Sequence, residues 1–215
     1  NDWSLDGKYH FRIKNLGLQY ILKTLGLSKN DKILFFDADI YFNKNPLVLF
    51  DLITDTQIVM YKNEGYIYKK KRFNYYKNNL KGKLIQYKKG SIYTLNSNSE
   101  MWGSAIIGVP ALAHYSIKDA DLLMSNLSKI LDIDKVHTIE QFSLVEILKM
   151  DFRVIEGKTY INICSTSGKK YFALKKINNF LKKNNRLDIK SLSEKSLRIN
   201  LKRSIFKIIK DKLLS

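Results

Sequence analysis

Lys32-Ile33-Leu34-Phe35-Phe36-Asp37-Ala38-Asp39 is the stretch whose reading decides the fold. Ile33–Phe36 is a short unbroken apolar run, entered through the polar turn Ser28-Lys29-Asn30-Asp31. It reads as a strand buried on both faces, the habit of parallel sheets. Upstream, Ile13, Leu16, Leu18, Ile21, Leu22 and Leu25 recur at helical spacing, and Gly26 stands where a left-handed residue closes a helix. Downstream, Asn45-Pro46 turns the chain into a short helix around Leu47–Leu52, and Ile58–Tyr61 reads as a further strand. Ala105–Val109 is another apolar strand, which Pro110 should end. Ile117, Ala120, Met124, Leu127 and Leu131 form one helical stripe, and a second helix runs from Thr138 through Leu148. Phe152–Ile155 and Tyr160–Ile163 read as two short strands. Helices alternating with apolar strands predict an α/β layered domain with a mostly parallel sheet.

The chain has 215 residues, 45% apolar and 27% charged, with two prolines and one cysteine. That suffices for a globular core and excludes collagen-like, disulfide-scaffold and acidic disordered classes. Cys164 alone cannot form an internal disulfide, which points to a reducing, cytoplasmic compartment. No apolar run approaches the ~18 residues that cross a bilayer. The net charge of +18 is unevenly placed: residues 62–90 carry +9, residues 169–215 carry +12, and the rest is slightly acidic at −3. The beginning, Asn1-Asp2-Trp3, is neither an initiator nor a signal peptide, so a chain starting partway through a longer protein is expected.

In extended backbone, residues i and i+2 point the same way, so Asp37 and Asp39 would present paired carboxylates where a strand ends. In open α/β sheets that is where ligands bind. Two carboxylates side by side repel unless a cation joins them, and hard oxygen donors suit Mg²⁺ or Mn²⁺.

With its flanking aromatics, Phe35-Phe36-Asp37-Ala38-Asp39-Ile40-Tyr41-Phe42 resembles the D-x-D segment of nucleotide-sugar-dependent glycosyltransferases of the GT-A fold. The order of parts is similar over residues 8–165: a helix with Arg12 and Lys14, the D-x-D, an Asn-Pro-Leu turn, a Trp-Gly-Ser strand, and a helix opened by Glu140-Gln141. The resemblance implies a hexosyltransferase-like enzyme moving a sugar from a nucleoside-diphosphate donor to a glycan or lipid-linked acceptor in cell-surface polysaccharide synthesis. It implies that Asp37 and Asp39 hold the metal and that Arg12 or Lys14 meets the donor diphosphate. Only one of those two cations can do so, since residues two apart on a helix do not share a face. Trp102, Gly103, Ser104 and Gln141 would line the substrate pocket.

Glu140 has two readings. By resemblance it faces the acceptor as a general base. From its context, Thr138-Ile139-Glu140-Gln141 fits a capping box in which Glu140 only favours the positive helix end. The family's initial strand–helix–strand unit for the nucleotide has no counterpart before residue 10, and the late stretch Tyr160–Ser165 lacks the His that often completes the metal shell. Asn162, Ser165 or water could replace it. His10, His114 and His137 lack ligand spacing.

The expected organisation is a partial GT-A-like catalytic domain over 1–168, with residues 62–90 as a basic surface excursion, and a basic helical tail over 169–215. Lys69–Arg72 lies among Tyr66, Tyr68, Phe73, Tyr75 and Tyr76, the interleaving that single-stranded nucleic-acid binders use. A non-catalytic or nucleic-acid-binding α/β domain is therefore the runner-up, without any nucleic-acid-binding signature to favour it. A metal-dependent phosphoryl-transfer enzyme comes third. Within residues 196–214, Leu197, Leu201, Ile205, Ile208 and Leu213 recur at helical spacing among Lys and Arg. Such a helix suits the anionic inner face of the plasma membrane as a peripheral contact, or a packed helix with a solvated basic face.

Overall fold

The computed structural model describes residues 4, 5 and 7–201. The first part of the chain supplies α1 (Arg12–Thr24), β1 (Lys32–Phe36), β2 (Ile40–Phe42), α2 (Val48–Asp51) and β3 (Gln57–Tyr66). These are followed by α3 (Asn74–Leu80), β4 (Ile85–Lys88), β5 (Ser91–Tyr93), β6 (Glu100–Pro110), α4 (His114–Leu127) and α5 (Ile139–Asp151). The chain continues through β7 (Arg153–Glu156), β8 (Ile161–Ile163), α6 (Ser167–Lys183) and α7 (Ile189–Ser196). It is an α/β protein in two compact units: residues 1–36 with 48–157, and residues 37–47 with 158–215.

The first unit is built on a mixed sheet in the order β1-β6-β3-β7. Its pairing corrects the expectation of a mostly parallel sheet, because β1–β6 and β6–β3 are antiparallel and only β3–β7 is parallel. β1, β3 and β7 do run in one direction, but β6 lies reversed between the first two. A sequence reading of separate apolar strands cannot see that interleaving. The expectation that β1 is buried on both faces is also corrected. Among the described residues β1 is an edge strand, with Phe36 48% exposed. The doubly buried strand is β6, covered from Met101 to Pro110 and ending at that proline.

Gly26 adopts φ +59° after α1, as its position predicts. The basic segment 62–90 is not a surface excursion. It extends β3 and adds α3 and β4, and Ile67, Phe73, Tyr76, Leu80 and Ile85 enter the core. Lysine-rich sequence hid this, because long cationic side chains stand outward between apolar anchors. α5 lies at the centre of that core. Ile139–Leu148 are all buried, so this helix is covered on every side rather than along one stripe.

The second unit pairs β2 antiparallel with β8, Tyr41 standing opposite Asn162. Cys164 N–H donates to the Asp39 carbonyl at 2.7 Å, and the Tyr41 hydroxyl donates to the Ser196 carbonyl at 2.5 Å. α6 and α7 have true N-caps: Thr166 accepts from Lys169 N–H and Asp188 from Ser191 N–H. The tail is thus helical as expected up to Ser196, whereas the amphipathic repeat expected over 196–214 lies outside the described residues from 202 onward. Among the described residues no helix is long and apolar enough to cross a membrane.

Gly108 sits mid-sheet, opposite Leu34 on one side and Val59 on the other. A Cβ there would fall 2.8 Å from Ile53 Cδ1 and 3.2 Å from Val59 Cβ. Gly108→Ala is expected to destabilise the first unit by about 1–3 kcal/mol through overpacking. At roughly 2–4 °C per kcal/mol this is readable as a lower Tm; an unchanged Tm would show that Ile53 repacks freely.

Candidate functional site

The first unit brings four of the sequence-selected residues together around one carboxylate. Glu140 lies in the first turn of α5 and is 1% exposed. Ser104 Oγ, on β6, donates to Glu140 Oε1 at 2.9 Å and stands 3.4 Å from Gln141 Oε1. Lys14 Nζ, reaching from α1, donates to Ser104 Oγ at 3.2 Å and lies 4.0 Å from Glu140 Oε1. The same ammonium stands 5.8 and 5.9 Å from the ring centroids of Phe11 and Phe35. Lys14 is the most solvent-open member, its side chain 15% exposed against 2% for Glu140.

Tyr9 completes the cluster and was not singled out from the sequence. Its hydroxyl donates to Glu140 Oε2 at 2.9 Å and accepts the Glu140 backbone N–H at 3.1 Å. One hydroxyl therefore satisfies both the carboxylate and an orphan amide at the start of α5. Thr138 occupies the N-cap position as expected, but its side chain caps nothing and instead pairs with the Tyr76 hydroxyl at 2.8 Å. The capping box is thus corrected: a tyrosine over a hundred residues away does what Thr138 was expected to do. No local spacing could have revealed it.

Burial pushes the Glu140 carboxyl upward from its ordinary range, and the Lys14 charge and the Ser104 and Tyr9 hydroxyls only partly offset this. Burial, followed by the Glu140 charge, raises the Tyr9 phenol far above its ordinary value. Asn15, next to Lys14, is fully buried, and among the described residues its carboxamide oxygen and nitrogen have no hydrogen-bond partner. Open donors and acceptors at such a position are unusual in a well-packed interior.

The other selected residues of this unit lie in different surroundings. Arg12 grips Asp121 of α4 with a two-pronged pair, Nε to Oδ1 at 3.1 Å and Nη2 to Oδ2 at 2.9 Å. Trp102 is a core aromatic, 7% exposed, whose indole N–H donates to Glu100 Oε2 at 2.8 Å. Gly103 makes room for a neighbouring ring, since a Cβ would fall 2.9 Å from Tyr61 Cδ1. His10 and His137 are exposed and His114 is half-buried.

Asp37 and Asp39 belong to the second unit. Asp37 leaves β1, Ala38 and Asp39 form a turn, and Ile40 begins β2. The extended geometry behind the i, i+2 argument is therefore absent, because a turn at Ala38 and Asp39 replaces it. Both are half-buried, and Asp39 Oδ2 stands 3.8 Å from Lys170 Nζ. Among the described residues no group of three or more His, Cys, Asp or Glu is arranged to hold an ion. Two carboxylates are nonetheless the number Mg²⁺ takes when water and substrate phosphates complete its shell, so this donor set fits a hard divalent cation.

Both sides of the cluster are open to test. Tyr9→Phe should cost about 1–3 kcal/mol by stripping Glu140 of a donor and its amide of an acceptor. Because the Glu140 value is raised, the folded state holds this proton more tightly than the unfolded chain, starting from the ordinary 4.5. Its stabilisation is complete below that pH and is lost as pH rises through the raised value. The Tm of Glu140→Gln relative to the parent should therefore climb from acid to neutral pH; a constant difference would refute the assignment. No protein-family model, curated protein or solved structure matches this chain.

Proposed function

We propose that the protein is a metal-dependent glycosyltransferase of the GT-A type, transferring a sugar from a nucleoside-diphosphate donor to a glycan or lipid-linked acceptor in cell-surface polysaccharide synthesis. One observation carries the reading. Lys14 of α1, Ser104 of β6 and the Glu140-Gln141 pair of α5, chosen from three separate parts of the sequence, meet at the buried Glu140 carboxylate. A carboxyl that burial holds toward its neutral form has the basicity to take a proton from an acceptor hydroxyl. In that step the acceptor oxygen bonds to the anomeric carbon, the bond from that carbon to the diphosphate breaks, and Glu140 receives the hydroxyl proton. Ser104 and Tyr9 hold the carboxylate in place, and the Lys14 ammonium offers the donor phosphates a charge-assisted contact.

Asp37 and Asp39, in the second unit, would hold Mg²⁺ or Mn²⁺, which would supply positive charge toward a phosphate-bearing ligand. Arg12 is committed to Asp121, which leaves the diphosphate role to Lys14. A lipid-linked acceptor would place the protein peripherally at the cytoplasmic face of the membrane.

The nucleic-acid reading requires aromatics free to stack on bases. Phe73 and Tyr76 instead lie in the core, and Lys69 already sits 4.5 Å from the Tyr66 ring centroid. Two of the five rings around Lys69–Arg72 are thus withdrawn from stacking.

The test is a thermal-shift screen of the full-length protein against sugar nucleotides with Mn²⁺, then with EDTA. A saturating donor at about 100 times its Kd adds about 2.7 kcal/mol, a Tm rise of roughly 5–10 °C. The rise should require metal and vanish in Asp39→Ala. No response to any donor, together with salt-sensitive binding of single-stranded oligonucleotide, overturns the reading.

A further inference from the structure

A second concentration of chemistry lies in the second unit, outside the residues of the proposed transferase site; its Arg198 and Ile199 begin the stretch 196–214 read above as a membrane contact. The end of α6 and the turn that follows α7 enclose a groove of about 400 Å³. Lys176 and Lys183 stand two helical turns apart on one face of α6 and line the groove from one side. Lys195, in the last turn of α7, and Arg198 line it from the other. The Arg198 N–H donates to the Lys195 carbonyl at 3.1 Å, so one tight turn carries both of these cations. Phe180 and Ile199 supply apolar lining between them.

No carboxylate lines this groove. α6 contains no acidic residue, and among the described residues none of the four cations is ion-paired. Asp188, at the N-cap of α7, is occupied at its own helix, accepting from Ser191 N–H at 2.9 Å and Ser191 Oγ at 2.8 Å, and Glu194 of α7 does not line the groove. Four like charges around one concavity repel each other, and an anion seated among them reverses the sign of that interaction. Lysine ammoniums act as point charges toward phosphate oxygens, and the arginine fork binds two of them at once.

We propose that this groove binds a phosphate-bearing anion carrying at least two negative charges, a diphosphate or adjoining anionic phospholipid headgroups, with Phe180 and Ile199 against the apolar part next to the phosphate. Two cations from each side match a ligand with more than one charged centre better than a single carboxylate. The inference does not depend on the transferase reading, because none of its residues takes part in it.

The test has two arms on the full-length protein at low ionic strength. One is calorimetric titration with inorganic pyrophosphate. The other is co-sedimentation with phosphatidylglycerol–phosphatidylcholine vesicles, against vesicles of phosphatidylcholine alone. Saturable pyrophosphate binding supports the groove and identifies a free phosphate ligand; binding only to the anionic vesicles supports it and identifies a headgroup. In either case Lys183→Gln/Arg198→Gln should weaken binding by at least about tenfold. Lys81→Gln/Lys83→Gln removes the same charge from exposed positions of the other unit and should stay within about twofold. Circular dichroism checks that both variants remain folded. Failure of both arms, or an equal loss in the control variant, overturns the proposal.

Discussion

A helix covered on all sides must satisfy every carboxylate it buries, and α5 buries two. Glu140 and Glu146 are each 1% exposed, one and a half turns apart. Desolvating either charge costs several kcal/mol unless donors replace water. The chain meets this with tyrosines from two distant segments: Tyr9 donates to Glu140, and Tyr93 donates to Glu146 at 2.8 Å. β6 contributes to both, through Ser104 Oγ for Glu140 and the Glu100 N–H for Glu146 at 2.9 Å. Lys149, one turn further on α5, bonds the Glu146 carboxylate, while Lys14 attends Glu140. These partners tie the N-terminal segment, β5, β6 and α5 into one polar framework inside an apolar core.

That framework also explains where each basic residue went. Arg12 and Lys14 are two apart on α1 and face different partners, Asp121 and the Ser104–Glu140 pair. Arginine's planar fork suits the two-pronged grip on Asp121, and lysine's single ammonium reaches between Ser104 and two aromatic rings. Lys88 pairs with Asp119 at 2.9 Å and Arg72 with Glu64 at 3.1 Å, so part of the basic segment's charge is answered within the first unit. Among the described residues the second unit answers little of its own. Its Lys170 approaches Asp39, while the cations about α6 and α7 are left to an outside anion under the reading given above.

The individual elements were legible because each obeys a short-range rule. The helix before the aspartate pair, the strand Lys32–Phe36, the glycine with positive φ at position 26 and the helix after Thr138 emerge where spacing and turn chemistry place them. The site was partly legible. Lys14, Ser104, Glu140 and Gln141 do converge, whereas Trp102 and Gly103 serve packing, and Asp37 and Asp39 lie at a turn rather than along a strand.

Sequence by itself determined the α/β class, the presence of several helices and strands and the uneven charge, since these depend on composition and on residues within a few positions of each other. Tertiary structure alone decided that β6 runs reversed between β1 and β3, that residues 62–90 enter the core, and that Tyr9 rather than Thr138 satisfies the start of α5. Strand order and long-range hydrogen bonds depend on which distant segments can jointly bury α5 and satisfy its carboxylates, and no local pattern records that choice.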